Sequence, residues 1–317
     1  MAPEAPEYDL SVDSVHFTFN TVMLACATEE GALKWCMRDG LIAESMACPK
    51  CLSEMRRQGK RWRCNRSGCR LQRSAHAKSF FARSKAPLSK LVKVLYFWAS
   101  RTHVGEAAQH VELTPTAAGQ WYMYARDICS AEMNLCDMRV GGEGHVVEID
   151  ETSMKKKQKY HRHPDFWVFG GVDRTTKKWF ARVVYEDRTK PTLPKCIKEC
   201  IKPGTLIMSD MFKSYVTEVQ SGPNKGLLHT LENNRHLAGM GYIHQPLVRC
   251  PYQPDRGIWE VKIKARLKSE RGIRKSVVPQ YLDECLWRSW YFKQTKKPQA
   301  SQYFHGLVLG IQRKYQL

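Results

Sequence analysis

The sequence contains no apolar run near the roughly 18 to 20 residues that a membrane-spanning helix requires, so no membrane partner is expected. Residues 1–13 hold four acidic side chains and no basic one, which is not the cationic start of a signal peptide or a mitochondrial presequence. Internal repeats are absent as well. Acidic charge is scarce: 31 Asp and Glu stand against 51 Lys and Arg, a net charge of +20. With 43% hydrophobic residues the chain is expected to fold, and a cationic excess of this size predicts a polyanionic partner. Each phosphate neutralised by a basic side chain releases condensed counterions, which favours nucleic acid. Charge alone does not separate DNA from RNA. The expected location is the nucleus of a eukaryote, otherwise the cytoplasm.

Cysteine, by contrast, is plentiful, with twelve residues. The length, the basic charge and the missing secretion signal argue against a disulfide framework. Four of the twelve stand at metal-ligand spacing: Cys48-Pro-Lys-Cys51, then Cys64-Asn-Arg-Ser-Gly-Cys69 after twelve intervening residues. Two such pairs on tight turns can hold Zn²⁺ tetrahedrally through four thiolates. That leaves no open coordination position, so the zinc would be structural. Met55 and Trp62 are expected to pack the hairpin between the pairs. The arginines around it, Arg61, Arg63, Arg66 and Arg70 among them, are candidate phosphate contacts.

Residues 21–39 carry a helical pattern ending at Gly40. From 88 to 133 the sequence reads as helices: an amphipathic one from Leu88, a short one near 104–111, and a third that Thr114 caps and Pro115 opens. Helix, short helix, turn and helix fit a helix-turn-helix, with Gln120, Tyr124 and Arg126 as candidates to face DNA. A plain three-helix packing domain fits the same pattern. Beyond the glycines at 141, 142 and 144 the periodicity changes to short β-rich runs at 145–150, 166–172, 179–185 and 205–210. A helical stretch lies at 193–201, and others at 258–267 and 281–292. Residues 216–257 read as irregular. Asp150 and Asp210 each close an apolar run. Carboxylates at strand ends can meet across a sheet and share divalent cations, although a lone one is more often a turn former or a helix cap.

Several phrases together resemble the Merlin superfamily of DNA transposases and the related bacterial insertion-sequence transposases. They are VEIDET at 147–152, WVFGGVDR at 167–174, GTLIMSDMFKSY at 204–215, WEVKIKARLK at 259–268 and YLDECLWR at 281–288. The resemblance implies an α/β fold: an RNase H-like catalytic core, a mixed sheet with flanking helices, preceded by a zinc ribbon and a helix-turn-helix-like segment. Residues 1–20, rich in Pro and acids, read as a disordered N-terminus, and the resemblance implies a zinc-ribbon DNA-binding region at 21–85 and a helix-turn-helix-like domain at 86–140. The core then spans 141–292, followed by a basic C-terminal tail at 293–317. It further implies cleavage at terminal inverted repeats and joining to target DNA, by a homo-oligomer assembled on DNA. Mg²⁺ or Mn²⁺ would be held by Asp150, Asp210 and a third acid. That third acid, a Glu three residues before Trp259 in the family, is Arg256 here, which leaves Asp255 as the substitute. The segment between Gly241-Tyr-Ile-His244 and Trp259 is short for the family, and 216–240 reads as additional sequence. The alternative is a domesticated or decayed transposase that binds DNA without cutting it.

Overall fold

In the computed structural model of the chain, the residues described are 8, 10, 16–153, 167–185, 191–210, 212–246, 275–292 and 298–316. The chain divides into two units, Glu7–Glu132 with Phe292–Leu317, and Met133–Tyr291.

The first unit gathers helices α1 (Phe19–Ala25), α2 (Glu29–Arg38), α3 (Leu88–Ala99), α4 (Val104–Val111) and α5 (Pro115–Met133), with the ribbon β1 (Met55–Gln58), β2 (Arg61–Cys64) and β3 (Gln72–Ser74) between α2 and α3. The continuous helical pattern expected over 21–39 is broken into two helices. Thr28 accepts the Gly31 backbone N–H at 3.1 Å and so starts α2 afresh. A Cβ at Gly31 would lie 2.5 Å from the Ala25 carbonyl oxygen, so the return of the chain at this corner needs glycine. Thr114 accepts the Ala117 N–H at 3.2 Å, capping α5 as its sequence indicates.

Residues 300–315, which lie in the basic C-terminal stretch, form a further long helix. Its Phe304, Leu307, Val308 and Ile311 are buried at i, i+3, i+4, i+7 spacing, and the helix packs on α3. Near the other end of the sequence, Tyr8 and Phe17 are also buried. The Tyr8 hydroxyl donates to Glu132 at 2.8 Å, and Phe17 stacks on His305.

The second unit is built on a five-stranded mixed sheet of β4 (Val146–Ser153), β5 (Trp167–Asp173), β6 (Trp179–Tyr185), β7 (Leu206–Ser209) and β10 (Ile243–Pro246), in the order β10-β7-β4-β5-β6. β4, β5 and β6 run antiparallel, while β7 is parallel to β4 and β10 is parallel to β7. A two-stranded hairpin, β8 (Thr217–Glu218) with β9 (Leu228–His229), interrupts the segment expected to be irregular. β10 gives no alternating signal and ends on proline, which an edge strand tolerates.

Helix α6 (Thr192–Cys200) precedes β7. The helix at Val278–Trp290 packs on β6, where the Trp179 indole donates to Ser289 Oγ at 2.8 Å and the Trp290 indole to the Trp179 carbonyl at 2.9 Å. The helix expected at 258–267 lies outside the described residues. Among those described, no helix is long and apolar enough to cross a membrane.

Candidate functional site

The four cysteines come together on two tight turns of the ribbon. In the first, the Leu52 N–H donates to the Cys48 carbonyl at 2.8 Å, and in the second the Cys69 N–H donates to the Arg66 carbonyl at 3.1 Å. Cys48 Sγ lies 3.6 Å from Cys69 Sγ, Cys51 Sγ lies 3.5 Å from Cys64 Sγ, and all four sulfurs fall within 4.8 Å of one another. These separations are too long for disulfide bonds, whose sulfurs sit about 2.0 Å apart. A tetrahedron of thiolates at about 2.3 Å from zinc has edges of about 3.8 Å, so the group can hold a structural Zn²⁺. The Ser53 backbone N–H and then its hydroxyl lower the Cys51 thiol, while the neighbouring sulfurs of Cys51, Cys69 and Cys48 raise Cys64, so without a metal the close-set thiols do not all ionise together. Met55 and Trp62 are buried beneath the hairpin.

The ribbon also presents cations. Arg56 and Arg63 stand directly opposite each other in the β1–β2 pairing, and both are exposed. Like charges facing across strands destabilise a sheet unless an anion lies between or above them. Arg61, Arg66 and Arg70 are exposed as well; Arg61 donates to Gln72 at 3.1 Å and Arg66 to the Cys51 carbonyl at 3.4 Å. On α5 the expected DNA-facing residues separate. Gln120 and Tyr124 lie exposed on one stripe, whereas Arg126 is 7% exposed. Arg126 shares its inward stripe with Tyr122, Ala125 and Cys129, so it belongs to the interior and not to a surface that could meet DNA directly.

In the second unit the acids gather on the sheet. The β4–β7 pairing matches Val146 with Leu206 and Glu148 with Met208. This pairing ends two residues before Asp150 and Asp210, so Asp150 on β4 and Asp210 just after β7 follow the same end of two adjacent parallel strands. Asp150 is buried at 9% exposure and pairs across β5 with Gly170. Asp210 is half-buried and its Oδ1 accepts the Phe212 N–H at 3.0 Å, which orients the carboxylate. Tyr215 lies close to both: its hydroxyl donates to Glu151 at 2.6 Å. Burial, followed by the charges of Glu151, Asp150 and Asp210, holds the Tyr215 phenol well above its ordinary pKa, so it remains a donor. Asp255, the proposed third acid, lies outside the described residues. Among those described, the cysteines are the group in which three or more candidate ligands fall within 4.8 Å.

Two supports of this sheet were not read from the sequence. Glu148, two residues before Asp150 and so on the same side of β4, is buried and ion-paired with Arg174, while its Oε2 has no hydrogen-bond partner among the described residues. On the other side of β7, Ser209 donates to the Asp210 carbonyl at 2.8 Å and is 2.9 Å from His244 Nε2. His244 Nδ1 accepts the Leu231 N–H at 3.2 Å, which assigns the ring proton to Nε2. Burial, opposed in part by Glu232, lowers His244 to about 4. The ring is therefore neutral at pH 7 and closes a chain of hydrogen bonds that ends on the backbone of Asp210. Asp173 likewise ties the β5–β6 turn, accepting from the Thr175 N–H at 2.8 Å and the Thr176 hydroxyl at 2.8 Å.

The sequence matches no protein-family model and no curated protein. Among solved structures, a chain of the simian T-cell lymphotropic virus intasome in complex with PP2A regulatory subunit B56 gamma is similar, at 16% identity and a TM-score of 0.31. The alignment covers 62% of this chain and 64% of that one, so this chain spans less than two thirds of that neighbour's length. A likeness this distant carries no functional argument, and the reading of the site rests on its own residues.

Proposed function

We propose that this chain is a Merlin-like DNA transposase, in which the ribbon and helical unit grips DNA and the sheet unit carries divalent-cation-assisted cleavage and strand transfer on an RNase H-like core. The observation that supports the reading is the parallel β4–β7 pairing, at whose same end Asp150 and Asp210 follow despite sixty positions of sequence between them. The mixed order of the sheet and the motif phrases on its strands support the same reading. Asp150 and Asp210 offer hard oxygen donors of the kind that Mg²⁺ or Mn²⁺ prefers, with Tyr215 and the Phe212 N–H fixing the neighbouring carboxylates. When bound, such cations activate a water or 3′-hydroxyl and stabilise the leaving oxygen of a phosphodiester. The exposed arginines of the ribbon, with Gln120 and Tyr124 of α5 in a helix-turn-helix-like role, would hold the element ends. Cutting paired ends calls for two or more copies of the chain on DNA.

A second reading, a transposase-derived DNA-binding protein without nuclease activity, is favoured by Arg256, which stands where the resemblance implies a Glu. A guanidinium repels the cations that the site must hold.

Incubating the full chain and Mg²⁺ with a plasmid bearing the DNA that flanks its gene separates the two. Asp150→Ala and Asp210→Ala are expected to abolish cleavage and to leave duplex binding intact. Cleavage that persists in either variant removes that residue from the site. Binding without cleavage by the unmodified chain establishes the second reading, and Arg256→Glu is then expected to restore nicking.

A further inference from the structure

A cavity of about 420 Å³ opens in the ribbon and helical unit, between β2 and β3, the segment at 84–87 and the corner of α2. Four of its lining residues, Lys60, Arg61, Arg73 and Lys85, are cationic, against the single carboxylate of Glu29. That carboxylate is already engaged. Oε1 accepts the Leu88 N–H at 2.9 Å and lies 3.1 Å from Lys60 Nζ, and Oε2 accepts the Ser89 N–H at 3.0 Å. His76, lowered from its ordinary value by burial, adds no charge at neutral pH. The walls therefore carry a net charge of 4 − 1 = +3.

Like charges converging on a concavity repel one another, and a concave wall focuses their field onto whatever enters. The fitting occupant is an anion rich in hydrogen-bond acceptors, which is the chemistry of a phosphate. The positive potential also continues out of the cavity. Arg61 lines it and lies on β2 two residues from Arg63, which faces Arg56 across the ribbon. A continuous polyanion can satisfy both places at once, whereas an isolated ion satisfies one.

We propose that this cavity receives a backbone phosphate of duplex DNA and so fixes the register in which the ribbon lies on the double helix, a positioning role in the sense that phosphate contacts set orientation. The proposal rests on the DNA-binding part of the reading above and adds Lys85, and a specific cavity, to the basic residues of the ribbon.

The test is fluorescence anisotropy of a labelled duplex with the zinc-loaded full chain across a NaCl series. The unmodified chain is compared with Arg73→Gln/Lys85→Gln, both changes being at exposed positions. Losing one phosphate contact lowers the slope of log K against log salt by about 0.9 in magnitude. The double variant should show that drop, while Lys34→Gln on the exposed side of α2 should not, and the charge-preserving Arg73→Lys/Lys85→Arg should restore the slope. Lys85→Gln alone serves if the double variant loses its zinc or its helical circular dichroism. No duplex binding by the unmodified chain defeats the DNA-binding reading and this proposal with it. Binding with an unchanged slope in the double variant defeats the cavity alone. Thermal stabilisation of the unmodified chain by inorganic phosphate, with the slope unchanged in the double variant, reassigns the cavity to a small free anion and also overturns it.

Discussion

Acidification should loosen the strand that leads into Asp210, and His244 sets the size of the effect. Its folded-state value is about 4 against an ordinary 6.5, because burial disfavours the charged ring more than Glu232 favours it. Between these two values the unfolded chain takes up a proton that the folded chain does not. The stability is therefore full above pH 6.5 and declines as the pH falls towards 4. A difference of this size is worth about 3 kcal/mol when fully expressed and about 2 kcal/mol between pH 7 and pH 4.5.

Protonation would also turn Nδ1 from an acceptor of the Leu231 N–H into a competing donor, so the loss is local to β7 and β10. The assay is urea unfolding followed by hydrogen exchange in peptides covering 205–216, in the unmodified chain and in His244→Gln, whose side chain does not titrate. The variant is expected to be less stable at pH 7 by about 1 to 2 kcal/mol, for the unsatisfied Leu231 N–H, and to lose less on acidification. Carboxylates that titrate in both proteins cancel in the comparison. Parallel loss of stability in the two from pH 7 to pH 4.5 would refute the assignment of the neutral ring to this network.

Zinc removal should unfold the ribbon, since binding at four-thiolate sites is on the order of 10 kcal/mol and the strands β1–β3 are too short to persist alone. Metal analysis should find one zinc per chain, lost in Cys64→Ser, and protease resistance over 48–69 that survives chelation would argue against the site. Glu29→Ala should cost about 2 kcal/mol in urea unfolding, because Pro87 provides no side-chain cap and Glu29 reaches over from α2 to accept two N–H groups at the start of α3. Burial alone would raise Glu29, but the Ser89 and Leu88 N–H groups and Lys60 overrule it and hold the carboxyl at about 2. Its contribution is therefore present above pH 4.5 and is lost as the pH falls towards 2. Solvent exposure keeps that electrostatic part to about 1 kcal/mol, and a Glu29→Ala protein as stable as the unmodified one would remove the capping role.

Local signals carried much of this architecture. The runs that became β4, β5 and β6 are dense in β-branched and aromatic residues, Thr114-Pro115 announces the start of α5, and the cysteine spacing announces the ribbon turns. Arg126 was open to the same logic, since positions 122, 125, 126 and 129 form an i, i+3, i+4, i+7 stripe. Its charge suggested a surface role that its phase excludes. The helix at 300–315 was hidden differently, its apolar stripe lying within a stretch whose basic composition reads as a solvated tail. No local pattern reports that Glu29 caps a helix 59 residues away, that Glu148 pairs with Arg174, or that His244 supports Asp210. Those contacts exist only once the strands and helices are packed.

The charges fall into two chemically opposed places, and this has a consequence for function. Among the described residues, the charged groups near Asp150 include the carboxylates Glu148, Glu151 and Asp210, with Arg174 ion-paired to Glu148. Unscreened carboxylates repel a phosphodiester, so on the proposed reading any chemistry at this place calls for divalent cations. On the ribbon the balance is reversed, with cations facing each other across strands and converging on a cavity whose carboxylate is already neutralised. On the proposed reading, affinity would draw on the cations of the ribbon, which a structural zinc would hold, and cleavage on hard divalent cations at the carboxylates of the sheet. On that reading, a change confined to the carboxylates of the sheet, such as Asp150→Ala, would remove cutting and leave the grip on DNA intact. The two proposed readings accordingly part at cleavage and share the cationic ribbon.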